Sequence, residues 1–152
     1  MKQEIQPGRG RPLNFDYDEV LETLVKLFWE KGYEDTTQQD MIRATGLSSS
    51  SLLNSFGNKP EVFKKVMGAY IKISDEFYAP LLRGEKGLDD IIYFLERVET
   101  DALESSMGCL VINTMLRPRR DELEEELVEE GNKRILSGFE AALSRGIELG
   151  EI

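Results

Sequence analysis

Apolar residues recur every three to four positions over most of this chain, and glycines or short polar clusters reset the phase. After Asp16, which can cap, Val20, Leu21, Leu24, Leu27 and Phe28 fall on one helical face, and Gly32 supplies a stop. A second, shorter helix is predicted behind Thr37 as N-cap. Asp40, three residues on, meets the exposed amides, Met41 and Ala44 face inward, and Gly46 ends it.

The next stretch, GLSSSSLLNSF, holds four consecutive serines, Ser48 to Ser51, and by composition alone would pass for a linker. Helical phasing says otherwise. With Ser48 as N-cap, Leu47 and Leu52 form a hydrophobic staple across a third helix start. At ~100° per residue, Leu52, Ser55 and Phe56 share one side, while Ser49, Ser50, Leu53 and Asn54 share the other. One side anchors into a core. The other is small, polar and open, the shape needed to enter a major groove, where hydroxyl and amide groups meet phosphates and base edges. Two short helices across a Gly-containing turn, backed by the first, make a helix-turn-helix.

GNKPEVF opens a long fourth helix, from about residue 59 to 78, with Asn58 as cap, Glu61 closing a capping box and Pro60 in the first turn. Lys59 is mildly unfavourable at that helix end, and its position makes more sense beside a phosphate. Val62, Val66, Tyr70, Ile73 and Phe77 continue the apolar stripe. Pro80, Gly84 and Gly87 then punctuate a connection, and Ile91, Phe94, Leu95 and Val98 mark a fifth helix. MGCLVINTML reads as a short buried helix ending before Pro118. In the last segment, Leu123, Leu127, Leu136, Phe139 and Leu143 supply a buried stripe opposite the acidic face of DELEEELVEEGNK.

The expectation is an all-α chain: a basic arm over residues 1–12, a helix-turn-helix domain over 13–60, and a helical domain over 61–152 for ligand binding and dimerisation. In the arm, Arg9 and Arg11, spaced by glycine, are suited to a DNA minor groove.

Composition restricts the chemistry. There is no histidine and one cysteine, Cys109, so a disulfide framework, thiolate zinc and His-based catalysis lose their residues. No catalytic residue, metal or cofactor is assigned. No apolar run reaches the ~20 residues of a membrane span and the first twelve residues lack a secretory signal, which points to the cytoplasm and away from a membrane partner. The net charge of −10 argues against nucleic acid until it is divided: residues 1–60 carry 7 basic and 9 acidic side chains, residues 61–152 carry 12 and 20. Most of the acidity lies away from the helix-turn-helix.

Taken together, GRGRPLNFDYDEVLETLVKLFWEKGYEDTTQQDMIRATGLSSSSLLNSFGNKPEVF resembles the N-terminal DNA-binding domain of the TetR/AcrR family of transcriptional regulators, with FWEKGYEDTT, ATGLS and FGNK in the family's order and spacing. The resemblance covers about residues 9 to 67. It implies a homodimeric repressor on a pseudo-palindromic double-stranded operator, one third helix per subunit in successive major grooves. By position, the resemblance implies that Thr37 and Lys59 hold phosphates and that Ser49, Ser50, Ser51, Leu53 and Asn54 occupy the recognition surface, with Gln38 and Ser48 as further DNA-binding candidates. Two departures matter: Ser49 stands where the family often has a basic residue, and Leu53 where it usually has tyrosine. Losing a cation and a phenol weakens phosphate contacts, although Leu53 can touch a thymine methyl.

The family's C-terminal helices enclose a cavity for a small effector. Tyr70, Phe77, Tyr93, Phe94, Met107, Cys109 and Met115 are the candidates to line it, and their soft, aromatic character suits an apolar or aromatic compound, although each is also an ordinary core residue type. Cys109 would sense redox state or electrophiles only with a stabilised, accessible thiolate. Family members usually continue past the equivalent of ELGEI with two dimerising helices, so the expectation is either a truncated product or a different dimer. The rival reading is a truncated helical interaction module that forms mixed dimers without specific DNA binding.

Overall fold

A computed structural model describes residues 15–104, 107–117, 120 and 122–152; among these there are eight helices and no strand. The 1–12 arm with Arg9 and Arg11, Pro118, and the side chain of Leu123 lie outside the described residues.

Helix α1 (Tyr17–Asp35) starts where the Asp16 carboxylate accepts from the Asp18 and Glu19 amides. Gly32, at φ 77°, interrupts it, and a last turn reaches Asp35. Helices α2 (Gln38–Thr45), α3 (Ser49–Phe56) and α4 (Lys59–Phe77) follow. Thr37 with Asp40, and Asn58 with Glu61, form reciprocal capping boxes, each satisfying amides that helix starts leave open. Leu24 and Phe28 of α1, Met41 of α2, Leu52 and Phe56 of α3, and Val62, Phe63, Val66 and Met67 of α4 are all buried in one cluster. At roughly 1.5–3 kcal/mol for each large apolar side chain buried, this cluster is what fixes α3 against the body. Ala44 is exposed rather than inward: Thr45, four positions after Met41, takes that place and bonds its hydroxyl to the Met41 carbonyl at 2.7 Å.

The connection after α4 contains a helix of its own, α5 (Ala79–Arg83), with Pro80 in its first turn and Gly84 ending it at φ 61°. The predicted fifth helix is therefore α6 (Leu88–Glu104), followed by α7 (Leu110–Met115) and α8 (Glu122–Leu149). Three predicted stripes are only partly buried. Ile73 on α4 and Leu95 and Val98 on α6 are exposed. On α8, Leu136 and Leu143 are exposed too, and the inward line runs through Leu127, Val128, Gly131, Gly138, Ala142 and Gly146. The reason is proximity: α5 comes so near that a Cβ on Gly138 would stand 3.0 Å from the Leu81 carbonyl oxygen. Small residues, not leucines, face such a neighbour.

The two halves share α4 and are tied in two further places. Trp29 Nε1 donates to the Gly108 carbonyl at 2.7 Å. Arg117, just after α7, ion-pairs with Glu34 at the end of α1 and with buried Glu124 on α8, its guanidinium 4.7 Å from the Tyr33 ring centroid. No described helix is long and apolar enough to cross a membrane.

Candidate functional site

The serine run builds the start of α3. Ser48 Oγ accepts from the Ser51 amide at 3.1 Å and bonds the Ser51 hydroxyl at 2.9 Å and the Ser50 hydroxyl at 3.1 Å. Leu52 and Phe56 point into the core, Phe56 stacked on Tyr17 with centroids 4.5 Å apart, so the remaining face is fixed by default. That face carries Ser49, Ser50, Leu53 and Asn54, all exposed, with Ser51 half-buried at its edge. Gln38 reaches it from α2, donating to Ser49 Oγ at 3.1 Å.

Around this face the polar groups are already ordered. Asp40 accepts from Lys31 Nζ at 2.8 Å, and from the Thr37 amide and hydroxyl at 2.9 and 2.7 Å. Those bonds, that to Lys31 foremost, hold its carboxyl well below the usual carboxylate range. They lock α2 onto α1 and set Thr37 at the surface. Lys59 is half-buried: its ammonium donates to the Glu34 carbonyl at 3.2 Å and lies 4.4 Å from the Tyr33 centroid. Burial, with Arg117 adding like-charge repulsion, lowers its pKa. Lys59 must leave that carbonyl before it can meet a phosphate. Arg43 was not singled out by sequence reasoning, yet its largely exposed guanidinium stands 3.8 Å from Asp40 Oδ1 and adds a cation to the α2 side.

A second feature lies behind the helix-turn-helix: a cavity of about 610 Å³ between α1, α4, α6, α7 and α8. Tyr70, Phe77, Phe94 and Cys109 line it together, whereas Tyr93 is on the outside, Met115 is exposed beside Asn132, and Met107 borders a separate hollow of about 440 Å³ near Tyr33 and Arg117. Trp29, Tyr78, Asp101, Arg134 and Phe139 are also in its walls and were not among the candidates to line it. Of these only Phe139 stood in a predicted apolar stripe; Trp29, Tyr78, Asp101 and Arg134 carried no such signal. Trp29 meets Tyr70 edge-on at 5.2 Å, so α1 forms part of the floor. Burial, with the Cys109 sulfur adjoining, holds the Tyr70 hydroxyl well above its ordinary range, and burial with the Asp101 carboxylate pushes Tyr78 up to about 12. Both phenols are neutral donors at physiological pH.

The model of bacterial regulatory proteins of the tetR family matches residues 20–66, which hold most of α1, all of α2 and α3, and the start of α4. Over 122 residues the chain is 34% identical to the HTH-type transcriptional repressor ComR of Escherichia coli K12, a match spanning 76% of this chain and 58% of that protein. It is 26% identical over 148 residues to the HTH-type transcriptional regulator YezE of Bacillus subtilis 168, spanning 94% and 76% respectively. Among solved structures, the TetR family regulator PfmR of Thermus thermophilus superposes with a TM-score of 0.64 at 26% identity, over 92% of this chain and 75% of that one.

Proposed function

The chain belongs to the TetR family of bacterial regulatory proteins, and we propose that it acts in the cytoplasm as a homodimeric repressor, bound to a pseudo-palindromic DNA operator and released by a small apolar or aromatic effector. The observation that carries the DNA reading is the division of α3: Leu52 is 1% exposed and Leu53 53%, so the helix is anchored on one side and bare on the side of Ser49, Ser50 and Asn54. Asn54 and the serines then meet base edges, Leu53 a thymine methyl, and Thr37, Gln38 and Lys59 the flanking phosphates. Support for the effector reading is that Val25 and Trp29 of α1 are walls of the cavity, so an occupant touches the helix on which α2 and α3 rest. The ties of Trp29 to Gly108 and of Arg117 to Glu34 give movement of α7 a route to the same helix.

The test is operator selection from random duplexes, followed by titration at several salt concentrations. Lys59→Ala is expected to weaken retention on every sequence and lower the salt slope by about one, whereas Asn54→Ala relaxes choice at particular base pairs. Selection of no preferred duplex by the intact protein would overturn the repressor reading and favour the interaction-module one.

A further inference from the structure

The cavity behind the helix-turn-helix is mostly apolar and aromatic, and its charged residues narrow what it can hold. Six aromatic side chains line it, Trp29, Tyr70, Phe77, Tyr78, Phe94 and Phe139. Among the described residues, four charged ones join them: Asp75, Asp101, Glu104 and Arg134. Arg134 is spent, since its Nε donates to Asp75 Oδ1 at 2.8 Å and a second guanidinium nitrogen takes the other oxygen. Asp101, half-buried, and Glu104, exposed at the rim, have no hydrogen bond or ion pair among the described residues. Arg97, one turn before Asp101, is stacked on Phe77 at 3.9 Å from the ring centroid and forms no ion pair with it. Among the described residues, no lysine lines the cavity.

We propose that this cavity takes a lipophilic cation, its apolar body against the aromatic walls and its positive charge facing Asp101. The inference rests on the effector reading above and narrows it to a ligand class. Aromatic faces present negative charge and attract cations, most strongly where water is excluded, and a free carboxylate beside them adds directly to that field. A lipophilic anion of the same shape meets the opposite situation. Its charge would lie beside two free carboxylates; of the nearby guanidiniums, Arg134 is satisfied by Asp75, and Arg97 lies against the Phe77 ring without being part of the lining.

The chain supplies its own probe, because Trp29 is its sole tryptophan and stands in the cavity wall. Intact protein, free of DNA, is titrated with tetraphenylphosphonium and with tetraphenylborate, nearly isosteric ions of opposite charge, while Trp29 fluorescence is followed. Saturable quenching by the cation and a much weaker effect of the anion are expected. Asp101→Asn should loosen the cation about fivefold, the scale of a partly exposed charge pair, and Asp101→Lys should turn the preference toward the borate. Equal affinity for both ions, no saturable response to the cation, or a preference that ignores both substitutions overturns the proposal. Operator release is then measured separately: a cation that binds and leaves DNA retention unchanged upholds the ligand class and refutes the effector role.

Discussion

The indole nitrogen of Trp29 donates to the Gly108 carbonyl across 2.7 Å, joining residues 79 positions apart in sequence. The bond connects the α1 scaffold of the helix-turn-helix to the residue pair Gly108 and Cys109 that opens α7 and borders the cavity. Trp29→Phe keeps the ring against Tyr70 and removes the donor. The expected loss is about 1 kcal/mol, or roughly 2–4 °C in Tm, read by circular dichroism melts. An unchanged Tm would mean that the Gly108 carbonyl finds water as readily as indole.

The neighbours Leu52 and Leu53 offer a stability test of the α3 orientation. Leu52→Ala empties a core position and is expected to cost about 2–5 kcal/mol. Leu53→Ala should stay within about 0.5 kcal/mol in stability while changing operator preference. Urea melts of the two variants settle the comparison, and equal losses would contradict the assignment of faces.

Asp40 contributes to acid sensitivity. Its folded-state pKa is depressed below the ordinary 3.8, first by the Lys31 ammonium and then by the Thr37 hydroxyl and amide. A depressed carboxylate lends stability that is fully present above 3.8 and is lost as pH falls from there toward the folded-state value. Asp40→Asn should be less stable than the parent at neutral pH, and the gap should shrink on acidification below pH 3.8. A gap of constant size from neutral to strongly acid solution would remove the role of that charge.

Two helical glycines should respond in opposite directions. Gly138 faces the Leu81 carbonyl, where even a Cβ would stand at 3.0 Å, so Gly138→Val is expected to cost about 1–3 kcal/mol through overpacking. Gly68, in the middle of α4, has nothing within 4 Å of an added Cβ, and Gly68→Ala should gain about 0.5–1 kcal/mol. Differential scanning calorimetry distinguishes these signs; a stabilising Gly138→Val would mean that α5 and α8 are free to separate.

The helix-turn-helix was legible from local rules. Caps at Asp16, Thr37, Ser48 and Asn58, stops at Gly32 and Gly46, and the spacing of Leu52 and Phe56 each depend on neighbours within about a turn, so residue order carries the information. Ala44 is the exception, because in an eight-residue helix a shift of one position moves the inward face from Ala44 to Thr45.

The sequence by itself determined every described helix except α5, how the first four begin, and that one short helix is anchored along one edge and bare along the other. Tertiary structure decided which apolar stripes found partners. Hydrophobicity nominates Leu136 and Leu143, but the nearness of α5 admits only Gly138 and Ala142, because steric contact depends on interhelical distance and periodicity does not encode distance. It likewise brought Trp29, Tyr78 and Asp101 to one cavity from three separate parts of the chain, where Asp101 gains a place that its charge alone could not have announced.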